Sequence, residues 1–275
     1  MTAMRIKNLV INLALGAGGL VMLLPFAWML SLSLKPENEI YTPDIAFLPR
    51  EWDFANYVEA WTVGYAGTFV INGVIVTLGI LVLQYLTIIP AAYVLARKNF
   101  RIRGLIMSTV LAVLLIPPQV TAIPVYMMLA EARLLDTYAA LIIPFASSAF
   151  GIFLLRQSFR TVPQELIDAA RMDGASEAYT LWFVVVPQVL PALAAFGIFS
   201  VVTHWNDFFW PLLVVTSIER ATPPLGISIF ASNEGGNEVG PMMATATLVV
   251  MPLVIAFLIA RRRFVEGVTL SGLKG

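Results

Sequence analysis

The sequence predicts an all-α integral membrane protein of six transmembrane helices, with a short polar helical segment in water between the fourth and fifth. Three observations predict it. First, 59% of the 275 residues are hydrophobic and 12% are charged, with a mean hydropathy of +0.84. A soluble domain carries roughly 25% charged residues, so water is not the solvent for most of this surface. Second, six charge-poor runs have about the 20-residue length that crosses a bilayer: 9–34, 67–95, 104–129, 138–155, 189–215 and 241–260. Third, the basic residues segregate by loop. Arg5, Lys7, Arg97, Lys98, Arg101, Arg103, Arg156, Arg160, Arg171, Arg261, Arg262, Arg263 and Lys274 fall on one side, against Lys35, Arg50, Arg133 and Arg220 on the other. Thirteen against four places both termini and residues 161–191 in the cytoplasm.

The first run follows Arg5 and Lys7, as in a signal peptide. It exceeds the usual apolar core of about 7–15 residues, so an uncleaved first span is expected. The outer loop 35–65 brings Trp52, Phe54, Tyr57 and Trp61. The spacing of Phe54, Tyr57 and Trp61 fits one face of an interfacial helix, read either as a membrane anchor or as a surface that meets a delivery protein. Proline recurs within the spans, at Pro25, Pro90, Pro117, Pro118, Pro124, Pro144, Pro211 and Pro252. Lipid tolerates such breaks only where protein or a wet cavity satisfies the freed backbone groups. They therefore mark either helices kinked round a pathway or kinks of purely structural purpose. Gln119, beside the Pro117-Pro118 break, and Asn72, early in the second span, are polar candidates for facing that pathway.

Residues 161–191 are the most legible stretch. Thr161 is suited to cap a helix with Gln164 three residues on, and Pro163 to its first turn. Glu165 and Asp168 put negative charge near the positive end of the helix dipole. Ala169 and Ala170 give a small, helix-favouring surface open to close approach. Gly174 is suited to end the helix with a positive φ, and Ser176 to cap a second short helix toward Val186. From residue types alone this is either a docking knob or an ordinary capped loop helix.

The fifth span holds His204, Trp205, Asn206 and Asp207. An ionisable residue within a span is costly and is a functional candidate by default, although Asp207 also falls close to the outer interface. Asn206 reads as a pathway residue or as a helix–helix hydrogen bond, and His204 as a route-lining or a packing residue. The outer loop 217–240, rich in Gly, Asn and Glu, is expected to be irregular. Its Gly236 and Gly240 match a dimerisation spacing that means little outside an apolar helix. Arg261, Arg262 and Arg263 anchor the end of the sixth span.

Several chemistries are excluded. The chain has no cysteine and one histidine, which removes disulfides, thiolate metal sites and a zinc centre. Gly267 and Gly272 have phosphate-loop spacing, but Leu273 stands where lysine is required. HExxH and GxSxG are both missing. The chain is not expected to be an enzyme, to hold a metal or cofactor, or to bind nucleic acid, so uphill transport would need borrowed energy.

Asp168-Ala169-Ala170, then Gly174, Val184, Val186 and Pro187 closely resemble the coupling motif of ABC importer permeases: Glu-Ala-Ala, three residues, Gly, nine residues, Ile-x-Leu-Pro. Asp168 replaces the lead Glu, and Val184 and Val186 replace Ile and Leu. Trp205-Asn206-Asp207-Phe208 resembles the Trp-Asn-Asp/Glu-Phe signature of the MalG-like, carbohydrate-uptake branch, and residues 266–275 resemble its C-terminal tail. The resemblance spans most of the chain, from about Pro25 to Gly275. It implies a type I, MetI-like permease: one transmembrane domain over residues 1–275, with core 67–260, coupling segment 161–191 and tail 261–275, in the bacterial inner membrane.

It further implies a second, different permease subunit, two ATPase subunits that bind ATP and Mg, a periplasmic solute-binding protein and a sugar-class solute. Glu165, Asp168, Ala169, Ala170 and Gly174 would then couple to the ATPase. Asn206, Asp207, Trp205, His204, Gln119 and Asn72 would line the route. An ion-gradient transporter or channel with Asp207 as ion site is the rival reading.

Overall fold

The structure is a computed structural model that describes the backbone of residues 2–42, 46–233 and 239–272 and the side chains of residues 7–42, 46–232 and 239–259. Every regular element among these residues is helical. Three helices are long and apolar enough to cross a membrane: Lys7–Leu32, Ala66–Arg97 and Val239–Ile259. Among the described residues three helix pairs are long and apolar enough when taken together, each bent at a short break: Arg103–Val113 with Pro118–Glu131 at 99°, Tyr138–Phe145 with Ala149–Thr161 at 43°, and Glu177–Gln188 with Leu190–Trp205 at 82°. Counting each pair once gives six.

The prolines divide into those that break a helix and those that do not. Pro25, Pro90 and Pro252 lie inside continuous helices. Pro117 is extended (φ −61°, ψ 135°) and sits before the helix that Pro118 starts, so two consecutive missing N–H groups end one rod and begin another. Sequence periodicity could not separate these cases, because a proline kinks a helix only where something else satisfies the carbonyl it frees.

Two expectations need correction. The fifth run is not one helix to residue 215: the helix ends at Trp205, and Phe209–Val214 forms a separate short one. The 217–240 loop is not irregular throughout, since Pro223–Asn233 is helical. Its two leading prolines suit a first turn, and buried Leu225 and Phe230 supply packing that a reading based on its polar residues missed. Residues 234–238, which include Gly236, lie outside the described residues.

Contacts cluster into two compact units, residues 1–67 with 226–252, and residues 68–225 with 253–275. In the first, Asn56 donates to the carbonyls of Ser33 (3.2 Å) and Lys35 (2.9 Å), and the hydroxyls of Tyr57 and Ser33 meet at 2.8 Å. Buried Lys35 donates to the Ala46 carbonyl at 2.5 Å and lies 5.1 Å from the Trp28 ring centroid. Tyr57 is thereby turned inward, whereas Trp52, Phe54 and Trp61 are exposed, as are Tyr41, Phe47 and Tyr65.

The second unit has a core in which Ile88 and Ala92 of the second span meet Leu155 and Phe159 of the fourth and Val185, Leu193 and Phe196 of the fifth. Ile167 from the 161–191 segment joins the same core. Gly151 permits the approach: a Cβ there would stand 2.7 Å from Phe196 and 2.8 Å from Ile88. Close backbone packing of this sort substitutes for the hydrophobic force that lipid does not supply between helices.

Candidate functional site: a docking segment and a polar cavity

The 161–191 segment is a helix, Gln164–Met172, a left-handed corner, and a second helix that runs into the fifth span. Its start differs from expectation. Thr161 ends the preceding helix and donates to the Ser158 carbonyl at 2.9 Å, and Pro163 is the residue before the first turn, with no side-chain cap. Proline's own φ (−58°) and ψ (137°) set the corner, so a hydroxyl cap is not needed. Gly174 has φ +79°, the region that a Cβ disfavours. Space is not the constraint, because nothing lies within 4 Å of a Cβ built there. Ser176 accepts from the Tyr179 N–H at 3.2 Å, as a helix cap should.

Residues 180–185 form a π-helix. Pro187 has no N–H for the preceding turn; the wider turn gives way to a single α turn, Val186–Gln188, and helical geometry is lost at Val189 (φ −115°, ψ 15°), at the 82° bend. The helix Gln164–Met172 is amphipathic: Ile167 and Ala170 are buried, whereas Glu165, Leu166, Asp168 and Ala169 are exposed and Met172 is 84% exposed. Ala170 therefore packs mainly inward, so that of the two alanines Ala169 is the one on the exposed face, a correction to the sequence reading, in which both form the surface. Leu166 and Met172, which that reading passed over, belong to the exposed face. Asp168 is engaged within the chain, by Gln164 at 3.0 Å and Arg171 at 3.5 Å.

The second feature is a cavity of about 290 Å³ between the helices Pro118–Glu131 and Leu190–Trp205, the turn Ile143–Phe145 and the helix Phe209–Val214. Gln119, His204 and Asp207 all line it, with Thr121, Thr203 and the ring of Phe145. An Asp207 oxygen accepts the Trp210 N–H at 3.3 Å. The His204 ring lies 4.8 Å from that of Phe145, and its Nε2 is 3.4 Å from the Gln84 amide nitrogen. Ser200 donates to the Gln84 oxygen at 2.6 Å, which leaves the Gln84 amide to donate to His204.

Gln84, buried and polar within the apolar run 67–95, was the signal in the sequence that this relay existed.

Three candidates stand away from the cavity lining. Trp205 is buried against Gly73, where a Cβ would come 3.0 Å from its ring. Asn206 follows the last helical residue, is exposed, and donates to the Val202 carbonyl at 2.8 Å. Asn72 is buried and saturated: it donates to the carbonyls of Glu219 and Ala221, both at 2.9 Å, and accepts from Tyr138 at 2.6 Å.

The same loop region carries a second clasp. Asp136, at φ +59°, accepts from the N–H groups of Thr216 and Ser217 at 3.1 Å and from the Ser217 hydroxyl at 2.9 Å. Burial pushes its carboxyl upward, but these hydrogen bonds outweigh it and hold the group below the usual carboxylate range. Among the described residues no cluster of three potential metal ligands occurs.

The family described as binding-protein-dependent transport system inner membrane component matches residues 88–269, and the chain belongs to it. It is 31% identical over 260 residues to the arabinooligosaccharides transport system permease protein AraQ of Bacillus subtilis (strain 168), covering 93% of this chain and 92% of that one. It is 31% identical over 252 residues to the diacetylchitobiose uptake system permease protein NgcG of Streptomyces coelicolor, covering 90% and 83%. The sn-glycerol-3-phosphate transport system permease protein UgpE of Escherichia coli O1:K1 is 29% identical, covering 90% of each.

Among solved structures, a chain of a bacterial ABC transporter involved in import of the acidic polysaccharide alginate superposes with a TM-score of 0.81 at 24% identity, covering 94% of this chain and 97% of that one. That likeness shows the fold. The chain is an inner-membrane permease subunit of an ABC importer.

Proposed function

We propose that this subunit forms one half of the route for a neutral, sugar-class solute, beside a second and different permease subunit. A periplasmic binding protein delivers the solute, and two ATPase subunits, which alone bind ATP and Mg, drive the cycle. The carrying observation is the cavity that gathers Gln119, Thr121, Thr203, His204 and Asp207 beside the Phe145 ring. Amide, hydroxyl, imidazole and carboxylate groups satisfy sugar hydroxyls, and an aromatic face suits the apolar face of a sugar ring. No lysine or arginine lines the cavity, so a phosphate or uronate would meet Asp207 without a compensating cation.

The exposed face of Gln164–Met172, with Glu165, Asp168, Ala169, Leu166 and Met172, docks on an ATPase subunit in the cytoplasm, where both termini also lie. Gly174 shapes the corner that presents this face, and Ala170 seats its back. Ile167 joins the helix to the core of the second, fourth and fifth spans, which supports alternating access as motion of a packed unit. A docked helix transmits work only if it binds the two ATPase states unequally.

The test is uptake in proteoliposomes holding both permeases, the ATPase and the binding protein. ATP-dependent accumulation of a neutral oligosaccharide, abolished when the ATPase subunits are omitted, is the expected outcome. Accumulation by this chain alone under an ion gradient would instead favour a secondary transporter with Asp207 as ion site.

A further inference from the structure

The helix Ala66–Arg97 ends in one basic residue and is followed at once by another, Lys98, and the two grip opposite ends of the docking helix. Arg97 reaches the segment that leads into it: its guanidinium donates to the carbonyls of Phe159 at 2.5 Å and of Val162, and to the Gln164 side chain at 3.3 Å. Lys98 reaches the segment that leaves it, with Nζ 2.6 Å from Glu177. Glu177 also receives Arg171, from the last turn of the docking helix, at 2.9 Å. One helix end thus holds residues 159–164 with one cation and residues 171–177 with the next.

We propose that Lys98 and Glu177 are positioning residues for coupling: with Arg97 they form a two-point strap that makes the docking helix and the second span move as one body. The inference rests on the reading of Gln164–Met172 as the ATPase-docking helix. Its chemistry is specific in one respect. The Lys98 and Glu177 side chains are 39% and 52% exposed, and ion pairs so exposed add little to folding stability. A strap of this kind is therefore not needed to fold the chain, whereas it fixes the angle at which the helix is presented. Without it, the helix keeps its buried seat at Ile167 and Ala170 and the polar tie of Arg97 at its entry, while its exit loses the ion pair that fixes its angle to the second span.

The experiment uses the complete transporter in proteoliposomes and reads ATP hydrolysed per solute accumulated. Lys98→Met and Glu177→Gln should each reach the membrane and assemble at normal levels, hydrolyse ATP, and deliver about tenfold less solute per ATP, the scale of coupling changes carried by single contacts. Lys98→Arg, which keeps the cation, should stay within about twofold of the unaltered protein on the same grounds.

Because the chain has no cysteine, the double variant Lys98→Cys with Glu177→Cys can be joined by a short bifunctional thiol reagent. Joining should restore the stoichiometry, and reductant should remove it again. Normal stoichiometry in Lys98→Met or Glu177→Gln overturns the strap, and so does a joined double cysteine variant that stays uncoupled. Photocrosslinking from position 172 keeps the two readings apart. If it captures no ATPase subunit, the docking assignment is wrong; if it captures one while the strap variants remain coupled, only the strap is wrong.

Discussion

The 161–191 segment and the cavity are built on opposite principles. The segment is contiguous: Pro163, Gly174 and Ser176 fix its corners through local backbone geometry, and each acts on its immediate neighbours. The cavity is lined by residues 119, 121, 145, 203, 204 and 207, which come from three separate stretches of chain, with Gln84 and Ser200 hydrogen-bonded behind His204. Its polar character is a property of packing, since each contributing stretch is mostly apolar. Damage to the segment should therefore break coupling outright at one residue. Damage to the cavity should be graded and depend on the chemistry substituted.

The largest effect is expected at Gly174. A β-branched residue in the left-handed region is strained by roughly 1–2 kcal/mol, and relieving that strain means disturbing the corner held by the Gly174 N–H to Arg171 and Ala175 N–H to Ala170 bonds, both 3.0 Å, so Gly174→Val should move the exposed face of the helix. Uptake should fall by at least about tenfold, with ATP hydrolysis persisting and membrane levels unchanged. Gly174→Asn, which tolerates positive φ, should keep most of it. Normal uptake by the valine variant would refute the coupling role.

Next comes Asp207. Asp207→Ala removes both the acceptor for the Trp210 N–H and a charged partner for solute hydroxyls. It should raise the half-saturating solute concentration by about tenfold, within the range for hydrogen bonds to charged groups. Asp207→Asn keeps an acceptor oxygen and should cost less for neutral sugars while admitting anionic ones better. Equal behaviour of the two variants would detach the cavity from solute selection.

A smaller, pH-dependent effect belongs to Asp136. Its folded-state pKa lies below the unfolded value, so the stabilisation is present above the unfolded pKa and is lost as pH falls through the folded one. Thermal unfolding followed against pH should show an acid loss that Asp136→Asn reduces. Asp136→Asn should also be slightly less stable at neutral pH. A pH profile identical in the variant would remove the clasp from consideration. The smallest effect is expected at Asn206: its side chain donates to the Val202 carbonyl one turn back and does not line the cavity, so Asn206→Ala should change uptake by less than about twofold. A larger loss would return it to the route.

Legibility followed the same division. The polar knob, the positive φ at Gly174 and the cap at Ser176 were readable because each is decided within a few residues. Thr161 was misread because proline geometry displaced a hydroxyl cap that looked equally good on paper. Ala170 was misread because composition does not tell which side of a nine-residue helix meets the core. Of the pathway candidates, Gln119, His204 and Asp207 meet in the cavity. Asn72, Trp205 and Asn206 are consumed by a saturated hydrogen-bond set, by a glycine contact and by a helix end.

The amino-acid sequence by itself determined that this chain lives in lipid, how many times it passes through it, and where its water-facing elbow lies. Those depend on the cost of moving charge and backbone into hydrocarbon, which is additive along the chain. Only the tertiary structure decided which prolines bend a span, which polar side chains share a space, and that Arg97 and Lys98 embrace one helix from both ends. Those outcomes require distant residues to compete for the same partners, and no window of sequence contains the competition.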